Sequence, residues 1–392
     1  MKTSLIILAA LTAAVTPAFS QWSVEYMSAP RYVTASAQFP NHVVFVTDSW
    51  ERYDAVADTW STGALSQPRV GIKAAQAGTK AYFAGGWYGP YTDPVYVKNI
   101  DIYDDVTGKW AKGNLSVARQ PGGVGALGGQ LFFAGGRGAI QIYNTVDIFN
   151  TQTGARTKGK LSKPRTNIAV GAAGNKILFA GGWYWDINYN VLYSNAVDIY
   201  DNSTGSWTRA QLSQKRDAVT AAVVGNKVLF AGGFVNSGTG VSKNVDIYDV
   251  MTGTWTTTFM SVPRYQPTVN VVGNTVYFAG SGDGSNTIDV YDASNNTWKV
   301  LTLPTPLVSM CGVVINNQIF YAGGYTFGNY GVSDLVQVYD IASNTWSTQK
   351  LSQARAGIAA GSFGNRYLFA GGLIKVTYPP VSSATVDIYT SP

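Results

Sequence analysis

Seven arginines recur along the chain, each at the end of a short phrase such as Leu-Ser-x-Pro-Arg. They are Arg31, Arg69, Arg119, Arg165, Arg216, Arg264 and Arg355. Guanidinium groups gathered around one centre would bind an anionic ligand. A carboxylate also recurs, two residues before a repeated aromatic residue, at Glu51, Asp101, Asp147, Asp198, Asp246, Asp289 and Asp387. The arginines therefore have two possible interpretations. They form either a ring that binds an anion or a set of structural arginine/acid pairs.

One copy of the pattern lacks both charges. Leu307 stands where the arginine is expected, and Gln337 stands where the carboxylate is expected. The joint loss favours pairing within each copy, because a buried charge is expensive without its partner. We therefore predict that the arginines and acids are structural pairs.

A second candidate site consists of aromatic residues in three long segments whose sequences differ from copy to copy of the pattern. They are Trp87, Tyr88 and Tyr91, then Trp183, Tyr184, Trp185 and Tyr189, and then Tyr325, Phe327 and Tyr330. Rigid aromatic faces beside Asn, Asp and Gly are typical of surfaces that bind sugars or proteins. The alternative is that these rings pack back onto their own strands.

The sequence contains few residues that could bind a metal ion or act in nucleophilic catalysis. The only histidine is His42, expected in a turn, and the only cysteine is Cys311. A zinc site built from His and Cys therefore lacks ligands, and no disulfide can form within the chain. We predict no metal, no cofactor and no catalytic residue, although carboxylate-only glycoside hydrolysis stays open.

Composition indicates an all-β protein. Hydrophobic residues make up 46% of the chain and charged residues only 13%, with 43 glycines and 24 tyrosines. Such a profile is typical of many short strands joined by tight turns. The formal charge is +6 with the cations scattered along the sequence, which argues against a nucleic-acid partner.

The recurring unit predicts four antiparallel strands, a to d. After each arginine come an alternating apolar segment (strand a), a Gly-Asn-like turn and a run such as KVLFAGG (strand b). A loop then leads to a segment such as VDIYD (strand c), and a second turn leads to a tryptophan (strand d). Two-residue turns of this kind between apolar runs indicate hairpins. In such a meander the b–c loops and the arginine-bearing d–a connections lie on the same face.

These units resemble kelch repeats, which carry a Gly-Gly pair at the end of strand b and a Tyr followed by a Trp across strands c and d. Gly-Gly pairs stand at 85–86, 135–136, 181–182, 232–233, 323–324 and 371–372, and the aromatic pairs are Tyr53/Trp60, Tyr103/Trp110, Tyr200/Trp207, Tyr248/Trp255, Tyr291/Trp298 and Tyr339/Trp346. The third unit departs from the pattern with Phe149 and Arg156.

The resemblance implies a β-propeller whose blades pack on one another. Some extracellular propellers of this kind are copper radical oxidases, which need two histidine ligands, so the single His42 disfavours that activity. Kelch-like sugar epimerases leave a carbohydrate-active enzyme as the alternative function. Such an enzyme would use carboxylates at the channel mouth.

The unit count predicts eight blades, with seven as the alternative. The last unit stops at VDIYTSP, before any strand d, whereas the segment QWSVEYMSAPR near the start supplies Trp22. We predict that this N-terminal strand completes the last blade and closes the ring, which removes exposed sheet edges.

Residues 1–20 read as a cleavable signal peptide. Lys2 precedes a short apolar run, and Ala18-Phe19-Ser20 has the small-x-small form of a cleavage site. The run is too short to span a bilayer. We expect an exported, extracellular protein with a single propeller domain over 21–392 and no membrane span. Glycosylation sequons begin at Asn114, Asn202 and Asn295.

Together these observations predict a secreted, non-enzymatic binding scaffold that is a monomer. Its b–c loop face is expected to engage an extracellular glycan or protein through the loop aromatics. The alternative is a glycoside hydrolase or a sugar epimerase-like enzyme.

Overall fold

The computed structural model describes residues 21–33, 35–235, 240–280, 284–376 and 380–391, and it is all-β. The proposed signal peptide, residues 1–20, lies outside the described residues. The strands of the described part are β1 (Gln21–Arg31), β2 (Ala35–Gln38), β3 (His42–Val46), β4 (Ser49–Asp54), β5 (Thr59–Ala64), β6 (Lys73–Ala77), β7 (Lys80–Ala84), β8 (Trp87–Tyr88), β9 (Val95–Tyr96), β10 (Asn99–Asp104), β11 (Lys109–Asn114), β12 (Gly123–Leu127), β13 (Gln130–Arg137), β14 (Ile142–Asn150), β15 (Arg156–Lys160), β16 (Ala169–Ala173), β17 (Lys176–Ala180), β18 (Trp183–Trp185), β19 (Val191–Tyr193), β20 (Ala196–Asp201), β21 (Ser206–Gln211), β22 (Thr220–Val224), β23 (Lys227–Ala231), β24 (Asn244–Asp249), β25 (Thr254–Phe259), β26 (Thr268–Val272), β27 (Thr275–Ala279), β28 (Thr287–Asp292), β29 (Thr297–Thr302), β30 (Cys311–Ile315), β31 (Gln318–Ala322), β32 (Leu335–Asp340), β33 (Thr345–Lys350), β34 (Ala359–Phe363), β35 (Arg366–Ala370), β36 (Leu373–Lys375) and β37 (Val381–Thr390).

Eight four-stranded antiparallel sheets form the blades. In strand order a to d they are β2-β3-β4-β5, β6-β7-β10-β11, β12-β13-β14-β15, β16-β17-β20-β21, β22-β23-β24-β25, β26-β27-β28-β29, β30-β31-β32-β33 and β34-β35-β37-β1. Strand b of each blade is a buried apolar run, whereas most of the d strands alternate between exposed and half-buried residues. The repeated apolar run thus becomes the centre of each sheet, because neighbouring blades cover both of its faces.

The blades form a closed ring. Each strand a contacts the strand a of both neighbouring blades, from β2 round to β34 and back to β2. The eight-bladed propeller predicted from the repeats is therefore confirmed, and the seven-bladed alternative is wrong.

The N-terminal strand closes the ring, as predicted. β1 pairs with β37 as strand d of blade 8, with Trp22 opposite Tyr389. The Trp22 ring also lies 5.6 Å from Phe369, and its Nε1–H donates to Gln349 of blade 7 at 2.7 Å. The closing strand therefore contacts two blades.

The repeated aromatic pairs fill the space between blades. In blade 5, for example, Tyr248 lies opposite Trp255 with ring centroids 4.9 Å apart, and Trp255 stacks on Phe230. Each large ring buries on the order of 150–250 Å² of surface. One sheet alone would leave these rings exposed, so the repetition follows from blade stacking.

The six Gly-Gly pairs each link their own blade to the next one. Gly86 adopts a φ of 100°, and a Cβ there would lie 2.4 Å from the Val70 carbonyl oxygen. Its N–H donates to the backbone oxygen of Arg119 in the next blade at 3.1 Å. Gly372 of blade 8 makes the same bond to Arg31, so the backbone link also runs across the closure.

The described residues contain no helix that is long and apolar enough to cross a membrane.

Candidate functional site

The b–c loops and the arginine-bearing d–a connections lie on the same face of the propeller. The first residue of a b–c loop forms a β-bridge with the residue that follows an arginine, as in Val70 with Trp87 and Thr166 with Trp183. We call this surface the loop face. The loop aromatics predicted from the sequence all stand on it.

Two of the long b–c loops fold as small hairpins. In blade 2, β8 pairs with β9, and in blade 4, β18 pairs with β19, with Trp183 opposite Tyr193. Backbone pairing fixes both ends of each hairpin, so the backbone that carries the aromatic side chains is held in place before a ligand arrives.

The loop aromatics divide between half-buried and exposed rings. Trp87, Trp183, Tyr184, Trp185 and Tyr325 are half-buried, whereas Tyr88, Tyr91, Tyr189, Phe327 and Tyr330 are exposed. Within each loop the rings touch: the centroids of Trp185 and Tyr189 are 6.1 Å apart. The half-buried rings thus anchor the loops while the exposed rings face solvent.

The predicted aromatics occupy three separate places rather than one. Trp87 contacts Tyr91 at 6.1 Å in blade 2, and Tyr325 contacts Tyr330 at 5.7 Å in blade 7. The blade 4 rings meet residues of blade 3 and line a cleft between two b–c loops.

The cleft between blades 3 and 4 has a volume of about 350 Å³, and we call it the loop cleft. Its lining residues are Ile140, Gln141, Ile142, Pro164, Tyr184, Trp185, Asp186, Ile187 and Tyr189. Ile187 is 93% exposed and Tyr189 is 71% exposed. Large apolar side chains in such exposed positions are typical of contact surfaces for a partner.

Cations flank the rings of the loop cleft. The Arg137 guanidinium lies 5.2 Å from the Trp185 ring, and the Lys163 ammonium lies 5.9 Å from the Tyr184 ring. The Asp186 carboxylate accepts bonds from Asn188 and Asn190, and the bond from the Asn190 side chain is the main cause that holds the pKa of Asp186 below its ordinary value. These contacts keep the turn rigid.

Sequence reasoning missed the blade 3 side of the loop cleft. Ile140 lies in the short loop after β13 and Ile142 begins β14, and neither is aromatic, so the aromatic pattern did not select them. The available signal was Ile140 itself, a large apolar residue in a four-residue turn and 80% exposed.

The arginine side chains point into their own blades. The Arg69 guanidinium lies 2.8 Å from Asp101, Arg119 lies 2.9 Å from Asp147, and Arg264 lies 2.7 Å from Asp289. The same contact joins Arg31 with Glu51, Arg165 with Asp198, Arg216 with Asp246, and Arg355 with Asp387.

These pairs are buried, and six of the seven arginines also donate to a glycine carbonyl of the same blade. The arginine side chains are 0% exposed except for Arg31. Arg119 also donates to the carbonyl of Gly135 at 2.7 Å, and the Asp147 oxygens accept from the Ser116 N–H. Burial lowers the pKa of Arg119, and the charge of Asp147 opposes this shift. Each guanidinium is thus engaged by protein groups, while the buried Nε atoms of Arg165, Arg216 and Arg355 have no hydrogen-bond partner among the described residues.

Blade 7 shows how the unit folds without the charges. Leu307 and Gln337 are both buried. The Gln337 amide accepts from the Thr305 N–H at 2.7 Å and donates to the Thr305 carbonyl at 3.0 Å. A neutral amide with its own partners therefore replaces the ion pair.

In blade 3 the acid of strand c bonds to a second arginine in addition to Arg119. Arg156, which stands at the tryptophan position opposite Phe149, donates to Asp147 at 2.6 Å. Burial would raise the pKa of Asp147, but the charge of Arg119 and the bond from Arg156 hold it below its ordinary value.

His42 begins strand β3 rather than lying in a turn. Its Nδ1 lies 2.7 Å from Asp105 of blade 2, and its Nε2 lies 3.0 Å from Asp54 of blade 1. It thus joins two blades on the face opposite the loops. Among the residues that the structure describes, no group of three or more His, Cys, Asp or Glu side chains is placed to hold a metal ion.

The three sequons lie at strand ends and turns. Asn114 ends β11 and is exposed, whereas Asn202 and Asn295 lie in c–d turns. The two turn positions are on the face opposite the loops.

Comparison with known protein families found a match to the Kelch motif over residues 215–257. This range runs from the connection before strand β22 to strand β25 and covers blade 5. A comparison with curated protein sequences found no match.

Proposed function

We propose that this chain, an eight-bladed propeller of the kelch-repeat family, is an exported binding scaffold whose loop face engages an extracellular glycan or protein. A propeller fold by itself serves scaffolds and enzymes alike, so the proposal depends on the site. The loop cleft is the observation that carries it.

The chemistry of the loop cleft supports a binding role. Exposed Tyr189 and Ile187 stand beside the half-buried Trp185, with amide and carboxylate groups close by. Rings that are already held in place lose little conformational entropy when they bind a partner. Stacking on an aromatic face suits both a sugar ring and an apolar side chain.

The arginine/acid pairs argue against hydrolysis by the strand c acids. Glycoside hydrolysis needs two carboxylates that face a substrate. The seven acids of strand c are buried, and each has an arginine partner, as Asp101 has Arg69 and Asp289 has Arg264. Their role in the proposal is structural.

The test compares wild type with the double variant Trp185→Ala/Tyr189→Ala on an array of defined glycans and on an array of extracellular proteins. The matched control is Tyr26→Ala/Met251→Ala, which removes two exposed side chains from the outer strand of blade 8 and from the c–d turn of blade 5. We expect the first variant to lose about 30-fold in affinity, because a central contact contributes about 2 kcal/mol. Unchanged affinity in that variant would remove the loop cleft from the proposal.

Export is a separate part of the proposal and depends on residues 1–20. Expression of the full chain in a secreting host, followed by N-terminal sequencing of the medium fraction, tests it. The expected mature terminus is Gln21. Retention of the intact chain inside the cell would contradict it.

A further inference from the structure

The blade 2/blade 3 boundary lacks the ring that fills the corresponding space in other blades. In blade 4, Trp207 covers Gly159 of the preceding blade, and a Cβ on Gly159 would lie 2.8 Å from the indole. Blade 3 has Arg156 at the tryptophan position. The equivalent glycine of blade 2, Gly113, has only its own blade's isoleucines among its three nearest neighbours.

An open groove of about 650 Å³ lies beside Arg156 at this boundary, at the outer edge of the propeller. We call it the rim groove. It is lined by Lys98, Asn114, Leu115, Ser116, Arg156, Thr157 and Lys158. Six of these seven side chains are polar or charged, so the groove does not suit an apolar partner.

The rim groove carries an excess of positive charge. The buried Asp147 receives both Arg119 and Arg156, so two guanidinium groups share one carboxylate. Lys98 and Lys158 are exposed, and neither forms an ion pair within the described part of the chain. Cations that are far apart in the sequence thus lie close together here. Three positive charges have no carboxylate partner: one of the two guanidinium charges at Asp147, and those of Lys98 and Lys158.

Arg156 is held in position for a ligand. Its guanidinium lies 5.5 Å from the Phe149 ring and bonds to Asp147, while 33% of its side chain stays exposed. A guanidinium fixed in this way loses less conformational entropy on binding than a free one, and it presents paired donors to a carboxylate or a sulfate.

We propose that the rim groove binds a short run of an acidic polysaccharide through its carboxylate or sulfate groups. The amide of Asn114 and the hydroxyl of Thr157 supply partners for sugar hydroxyl groups. The Phe149 ring is covered by Arg156, so no lining residue of the groove offers an aromatic face for base stacking, which nucleic-acid grooves use. This inference does not depend on the loop cleft.

The experiment measures binding of polygalacturonate, heparin, neutral dextran and a single-stranded oligonucleotide by calorimetry at 50 and 500 mM NaCl. The protein is produced without N-glycosylation, because a glycan on Asn114 would cover the groove. We expect wild type to bind polygalacturonate, heparin or both at 50 mM salt and to weaken at 500 mM salt through screening. The difference between the two polymers identifies the carboxylate or sulfate source.

Two variants and one control decide the outcome. Lys98→Gln/Lys158→Gln should weaken polymer binding about tenfold, and Arg156→Trp should abolish it by filling the groove. The control Lys215→Gln/Lys299→Gln makes the same change in net charge at exposed lysines of other blades and should change affinity less than twofold. Equal losses in the control, tighter binding of the oligonucleotide, or no binding of either acidic polymer would overturn the proposal.

Discussion

Trp22 lies opposite Tyr389 with ring centroids 5.1 Å apart, so the first strand described and the last one share a single sheet. Trp22→Ala should lower the free energy of unfolding by about 3 kcal/mol, because it removes a large ring from the blade 8 interface. Urea unfolding followed by circular dichroism measures the change. Tyr26→Ala, in the same strand but 66% exposed, is the control and should stay within about 0.5 kcal/mol of wild type. Equal effects of the two substitutions would contradict this role of Trp22.

Blade 7 suggests a substitution that replaces a buried ion pair. Asp289→Asn should cost about 3–5 kcal/mol, because Arg264 would lose its charged partner while 0% exposed. The double variant Arg264→Leu/Asp289→Gln copies the Leu307 and Gln337 arrangement and should recover at least half of that loss. Thermal unfolding of wild type, single and double variants gives the comparison. A double variant less stable than Asp289→Asn would show that blade 7 depends on other features.

The Asp147 carboxylate should make stability depend on pH. Its folded pKa lies below the ordinary value of 3.8, so its contribution is present above about pH 4 and is lost as pH falls through the lower folded value. Arg156→Gln removes one cause of the shift and should cost about 1 kcal/mol at pH 7. The difference in the free energy of unfolding between Arg156→Gln and wild type should become smaller below about pH 4.

The matched control for the pH experiment is Arg209→Gln. Arg209 is an exposed arginine of the outer strand of blade 4, and its removal changes the net charge equally. Urea unfolding between pH 3 and pH 7 should show a difference that depends on pH only for Arg156→Gln. The same pH profile in both variants would assign the effect to net charge.

Cys311 should be unreactive in the native protein. It begins strand a of blade 7, and burial raises the pKa of its thiol to about 12, although the charge of Arg355 opposes the shift. At pH 8 we expect no labelling by a disulfide reagent in buffer and complete labelling in 6 M urea, because the thiolate is the reactive form. Rapid labelling of the folded chain would mean that blade 7 opens locally.

The repeat pattern predicts much of this fold, because each blade has the same packing problem and solves it with the same residues. The Tyr/Trp pair of blade 5, Tyr248 and Trp255, recurs in five other blades, so these pairs mark most of the units, and the Phe149/Arg156 and Tyr389/Trp22 pairs mark the other two. The unfinished last unit and Trp22 together indicate the closure. These features depend on neighbours in sequence or on identical copies, which a single sequence displays directly.

The loop cleft and the rim groove could not be predicted from the repeat pattern. The loop cleft joins Ile140 of one blade to Tyr189 of the next, and the rim groove joins Lys98 to Lys158. Each arrangement depends on how two non-identical segments face each other across a blade boundary. The sequence marks Arg156 as a departure from the repeat, but the groove beside Arg156 appears only in three dimensions.

The closing pair of strands also orders events during synthesis. The ribosome makes β1 before any other described strand and makes its partner β37 after all the others. Each of blades 1 to 7 comes from one continuous stretch of the chain and is able to form as it emerges, whereas β1 has no partner strand until β37 has been made. During that interval its unpaired edge is open to other strands, which makes β1 the segment where a chaperone would help most.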